Sequence, residues 1–162
     1  MKKNKKLIVV ITSLILLVSI AAGFAPAPKV SAASSSSRSS LLADLNYSKN
    51  AYWFVYTLNN SLLKENRKSD AAVKTDAYGL TKGWVSASSL ARSYANQIKS
   101  SVGTKEFVKR LYWGLLDRPY DQGGFDFWVG GLSQGDTRSH VIDCFIASPE
   151  FKSRVAKLGL KY

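Results

Sequence analysis

The chain has 162 residues, 46% of them hydrophobic, and a formal net charge of +12. That is enough apolar material for one domain with its own core. A single cysteine excludes an intramolecular disulfide, and one histidine beside it leaves too few ligands for a structural zinc site, so packing alone must hold the fold.

Residues 1–32 read as a secretory signal. Lys2, Lys3, Lys5 and Lys6 form a positive n-region, and Leu7 to Phe24 carries no charge. Pro26 and Pro28 stop that apolar run, and Val30-Ser31-Ala32 places small or slim residues where a signal peptidase needs them. Cleavage is expected between Ala32 and Ala33. The alternative is an uncleaved membrane anchor, because eighteen residues lie near the lower limit for spanning a bilayer. Loss of Lys2, Lys3, Lys5, Lys6 and Lys29 takes the formal charge from +12 to +7. The remaining cations are scattered, which suits weak attraction to an anionic cell wall or membrane surface better than a phosphate groove.

Residues 33–40 are a serine-rich tether unable to bury apolar surface. An amino-terminal helical region is expected over 41–103. Leu41, Leu45, Tyr52, Val55, Tyr56 and Leu62 recur at roughly the helical period. The run Tyr52 to Tyr56 also suits a strand, but the longer periodicity favours a helix. Glu65 to Trp84 is polar and punctuated by Gly79 and Gly83, a connection with a short helical piece around Asp70 to Tyr78. Ser86 reads as an N-cap, with Leu90, Ala91, Tyr94 and Ile98 on the inner face of its helix. Ser100 to Gly103 is a break, and Thr104 is expected to cap the next helix. No internal repeat is apparent between the two halves.

A helical domain is expected over 104–162. Phe107, Val108, Leu111, Tyr112, Leu115 and Leu116 form one apolar stripe. Asp121 caps a helix carrying Phe125, Trp128, Val129 and Leu132; after Gly135, Asp136 or Thr137 caps another with Val141, Cys144 and Phe145 inward. Ser148-Pro149-Glu150 is a helix start: the serine caps, the proline has no N–H to lose, and the carboxylate meets the positive end of the dipole. Phe151, Val155 and Leu158 give that helix its inner face. The fold class is all-α, a compact bundle of short helices.

Phe107 to Phe151 resembles the domain of unknown function 4214 family. The features that carry it are Phe107 with Leu111-Tyr112, Leu116 before Arg118, Asp121, Gly124, Phe127-Trp128-Val129, Leu132, Gly135, Thr137-Arg138, Val141, Phe145 and Ser148-Pro149-Glu150-Phe151. One departure is that Pro119 follows Arg118 and Tyr120 precedes Asp121, where the family places proline directly before the aspartate. The resemblance implies a short helical unit of exported, surface-associated or matrix proteins, similar to linker domains of light-harvesting antennae, without an agreed activity. The residues themselves read mainly as structural: Asp121 as N-cap, Arg118 as donor to helix-end carbonyls or to Asp121, Gly124 as a point of close helix approach, and Trp128 as a core anchor with a polar edge. The functional alternative makes Arg118, Asp121 and Trp128 a sugar-binding patch.

Other chemistries find little support. Cys144 reads as a buried small hydrophobe; His140 stands four residues before it, but no third orienting group is evident. Asp117, Asp121, Asp126 and Asp136 do not match a calcium loop, and no pair of carboxylates stands out for glycoside hydrolysis. No metal, cofactor or catalytic residue is expected. Lys105, Lys109 and Arg110, and Lys152, Arg154, Lys157 and Lys161, read as solvated helix faces, and nucleic acid is not an expected partner. The expectation is a secreted, non-enzymatic interaction module for protein or glycan, in which Tyr47, Tyr52, Trp53, Phe54 and Tyr56 supply either core or interface. The alternatives are a secreted enzyme or accessory acting on wall polysaccharide, and a self-associating matrix element.

Overall fold

A computed structural model describes residues 46–162; the signal, its cleavage site, the tether and residues 41–45 lie outside the described residues. The chain forms α1 (Lys49–Leu58), α2 (Asp70–Thr81), α3 (Ala87–Ala95), α4 (Thr104–Leu111), α5 (Gln122–Ser133), α6 (Arg138–Ala147) and α7 (Pro149–Lys157). Among the described residues there is no strand. The aromatic run Tyr52 to Tyr56 is helical, within α1. The short helical piece expected around Asp70 to Tyr78 is α2, which runs on to Thr81 and buries Val73, Ala77 and Leu80.

Six of these seven helices start on a side-chain cap. Ser48, Ser69, Ser86, Asp121, Thr137 and Ser148 are all extended, and each side-chain oxygen accepts from the N–H three residues on. That pairing satisfies a donor with no partner inside the helix. The exception is α4, where Gly103 occupies the cap and the expected cap Thr104 is already the first helical residue.

The structure overturns the expectation of no internal repeat. α1 runs directly into a π-helical turn, Asn59–Leu63, and α4 into another, Tyr112–Leu116. Both turns end on a non-glycine residue with positive φ, Lys64 at 35° and Asp117 at 57°, a step of 53 residues. At the same step Phe54, Val55, Leu58 and Leu62 match Phe107, Val108, Leu111 and Leu115, all buried. The second helices correspond at a step of 52. Caps Ser69 and Asp121 match, as do Gly79-Leu80-Thr81-Lys82-Gly83 and Gly131-Leu132-Ser133-Gln134-Gly135. Gly83 and Gly135 both have positive φ, and the Trp84 and Asp136 N–H groups each donate to a glycine carbonyl five residues back at 3.0 Å. The third helices correspond at a step of 51, with Leu90, Ala91, Tyr94 and Ala95 matching Val141, Ile142, Phe145 and Ile146, again all buried. α3 and α6 meet through an ion pair between the corresponding residues Arg92 and Asp143.

α7 opens a third copy that goes no further within this chain segment: Glu150-Phe151 and Arg154-Val155 repeat Glu106-Phe107 and Arg110-Leu111. A π-helical turn ends with carbonyls that its own helix does not satisfy. In both places the arginine of the next copy supplies the donor. Arg110 Nη1 donates to Leu62 O at 3.1 Å, and Arg154 Nη1 donates to Gly114 O and Leu115 O at 2.8 Å. Leu62 and Leu115 are themselves corresponding residues. Arg110, expected on an exposed face, is only 4% exposed, and Arg154, expected on a solvated one, is largely buried beside Phe54. Phe54, Phe107 and Phe151, one from each copy, lie in a single hydrophobic core with the remaining helices.

Candidate ligand cleft

Four of the family-motif residues meet in space. The Arg118 guanidinium reaches across 32 residues to Glu150 as a two-pronged pair, Nε to Oε1 at 2.5 Å and Nη2 to Oε2 at 3.0 Å. Its Nη1 donates to Pro119 O at 2.9 Å and to Asp121 Oδ2 at 3.4 Å. The Glu150 hydrogen bonds hold the Arg118 guanidinium above its ordinary pKa. Arg118, Glu150, Trp128 and Ser148 line a cavity of about 150 Å3, together with Tyr112 and Cys144. Trp128 is half-buried, its ring 5.3 Å from that of Phe145.

Several motif residues also build the local fold. Asp121 Oδ1 accepts the Gly124 N–H at 2.8 Å, and that backbone bond holds its carboxyl below the usual carboxylate range. A Cβ at Gly124 would overlap the Tyr112 hydroxyl, so the glycine is required where α5 crosses the second π-turn. Ser148 accepts the Phe151 N–H at 3.2 Å, Pro149 opens α7, and the Phe151 ring is fully buried. The pairing of Arg118 with Glu150 has no local signal, because one residue ends a turn and the other opens a helix far along the chain.

Glu150 also faces a larger cleft of about 470 Å3 between α1, the second π-turn and α7. Its polar wall is Asp117, Glu150, Ser153, Arg154 and Lys157. Its aromatic wall is Trp53, whose indole is 58% exposed and stands edge-on to Tyr56 with centroids 5.2 Å apart. Arg154 Nη2 lies 3.5 Å from Asp117 Oδ2, and burial pushes the guanidinium below its ordinary pKa while Asp117 opposes that shift. Arginine nonetheless keeps its charge at any physiological pH. Within the aromatic run, Phe54 therefore belongs to the core, and Trp53 and Tyr56 to the surface.

Cys144 differs from expectation. It is half-buried rather than buried, with Sγ 3.4 Å from His140 Nε2. His140 Nδ1 lies 2.6 Å from Asp136 Oδ1, so Asp136 is the third orienting group that the sequence reading misses. The hydrogen bond from His140 holds the Asp136 carboxyl below its usual range. The spacing Asp136, His140, Cys144 places all three on one face of the helix and its cap, a signal present in the sequence. The other aspartates are dispersed: Asp117 faces Arg154, and Asp126 accepts from Gln122 at 2.9 Å. Among the described residues no group of three or more His, Cys, Asp or Glu is arranged to hold a metal ion.

The architecture is an all-helical tandem of a three-helix unit with a π-turn after its first helix. The family described as Domain of unknown function (DUF4214) matches residues 86–155, so this segment carries that domain, and the resemblance over Phe107 to Phe151 falls inside it. No curated protein and no solved structure matches the chain. Among the described residues no helix is long and apolar enough to cross a membrane.

Proposed function

We propose that this chain is an exported, non-enzymatic interaction module that binds glycan at the cell surface through the Trp53 cleft. The observation that carries the reading is an exposed indole set against a row of charged and hydroxyl side chains. A sugar ring offers an apolar face to an aromatic and hydroxyls to such a polar row. The cleft is largely preformed: Arg154 is fixed by two carbonyls and Glu150 by Arg118, so ligand binding orders little that is loose. Export through the signal of residues 1–32 would bring the cleft to extracellular polysaccharide, and the basic mature chain would favour an anionic wall.

Titration of the protein with wall-derived oligosaccharide tests this. Trp53→Ala is expected to remove binding while leaving the unfolding free energy within about 0.5 kcal/mol, as for an exposed side chain outside the core. Equal affinity of wild type and variant would sink the reading.

A second reading, an enzyme acting on wall polysaccharide, draws on the presence of Asp117 and Glu150 in one cleft. Each is engaged by an arginine, Glu150 by Arg118 and Asp117 by Arg154. Release of reducing ends from the same oligosaccharide would favour the enzyme.

A further inference from the structure

We infer that the junction between the first and second copies of the repeated unit carries a second glycan site, centred on Trp113 and selective for a carboxylate-bearing sugar. It rests on the reading of the Trp53 cleft as a glycan site. A cleft of about 240 Å3 lies where the first π-turn meets α4. Its construction corresponds to that of the Trp53 cleft. In each, a π-turn ends on a residue with positive φ, Lys64 or Asp117, and the next helix brings a first-turn glutamate and a buried arginine. Glu106 and Arg110 occupy the places of Glu150 and Arg154.

Each cleft also has one exposed indole, and the two come from different positions in the unit. Trp53 stands where α4 has Glu106, whereas Trp113 lies in the π-turn, where the first copy has Asn60. The Trp113 indole is 48% exposed. Repetition of the backbone accounts for two clefts. It does not account for an indole in both, because the corresponding positions hold other residues.

The electrostatics differ in a way that defines the ligand. Asp117 and Ser153 in one cleft correspond to Lys64 and Lys109 in the other. The charged lining sums to zero around Trp53, from Asp117, Glu150, Arg154 and Lys157, and to +2 around Trp113, from Lys64, Glu106, Lys109 and Arg110. Lys64 pairs with Glu106, and Arg110 with Glu106 and Glu65. Lys109 has no carboxylate partner among the described residues and lies over the rings of Tyr120 and Phe125. A sugar stacked on Trp113 meets Asn60 and Ser61 with its hydroxyls and Lys109 with its carboxylate. Two sites in one small domain would hold a polymer by avidity, raising apparent affinity by about 10²-fold or more where one strand spans both.

The test is calorimetry and indole N–H spectroscopy on the protein purified from the producing cells. The titrant is a tetrasaccharide alternating N-acetylglucosamine and N-acetylmuramic acid, compared with a neutral N-acetylglucosamine tetrasaccharide. Two binding events per chain are expected with the acidic sugar, shifting the Trp53 and Trp113 indole signals separately. The Trp113 event alone should weaken with salt. Trp113→Ala and the surface change Lys109→Glu should each lower that event at least about tenfold and leave the Trp53 event intact. A single event per chain that moves Trp53 and not Trp113 overturns the second site. Equal binding of the neutral sugar at Trp113 overturns its selectivity. Absence of any binding overturns the Trp53 reading, and this site with it.

Discussion

Arg110→Met separates two accounts of what the buried arginine does. The guanidinium makes four hydrogen bonds: to Glu106 at 3.0 Å, to Glu65 at 2.8 and 3.2 Å, and to Leu62 O at 3.1 Å. The ion pairs look stronger, but the Glu65 side chain is mostly in water and recovers its hydration when the arginine goes. The Leu62 carbonyl lies at the end of a π-turn under the core and has no such recourse. An orphaned buried acceptor costs about 1–3 kcal/mol, and methionine keeps most of the apolar stem, so the expected loss is about 2–3 kcal/mol. Urea unfolding measures it as a lower midpoint at unchanged slope. Glu65→Gln should cost far less. If Glu65→Gln destabilises as much as Arg110→Met, or if Arg110→Met loses less than about 0.5 kcal/mol, the π-turn carbonyl is not what the arginine secures.

Arg154→Met should lose a similar amount, because it removes the same latch from the second π-turn; a neutral result would argue against equivalence of the copies. Gly124→Ala places a methyl against the Tyr112 hydroxyl, and overpacking less the gain in helix propensity gives a net loss of about 1–2 kcal/mol by the same unfolding assay. Stability should fall in acid. Hydrogen bonds from Arg110, the Gly124 N–H and His140 hold the Glu65, Asp121 and Asp136 carboxyls below their usual range, so the folded chain binds fewer protons than the unfolded one. Their contribution is complete above the ordinary carboxylate range, above about pH 5, and disappears as pH drops through the lowered folded values. A thermal midpoint unchanged between pH 7 and pH 3 would contradict this.

Local physics makes much of the fold readable. Ser86, Asp121 and Ser148 cap because a hydroxyl or carboxylate before an apolar periodic run satisfies a free N–H, and that requires only near neighbours. The inner faces of α3, α4 and α6 come from spacing alone. The duplication is hidden because its step drifts from 53 to 51 residues, and because most corresponding positions share size and burial rather than identity. GLTKG and GLSQG are its clearest trace. Arg110 and Arg154 defeat the sequence reading for a physical reason: arginine at a helix face is ordinarily solvated, and only the π-turn, invisible in the sequence, creates buried acceptors for it. The apolar neighbours of Cys144 suggest burial, although Asp136 stands four residues before His140 as His140 does before Cys144. The Trp53 cleft joins α1 to α7 across almost the whole described chain, a separation that no local pattern reports.

The most direct test of the glycan reading is co-sedimentation with insoluble, purified wall polysaccharide at physiological salt. The protein should pellet with the polysaccharide, and the Trp53→Ala, Trp113→Ala double variant should remain in solution with an unchanged unfolding midpoint. Equal pelleting of wild type and double variant, or no pelleting of either, would contradict it.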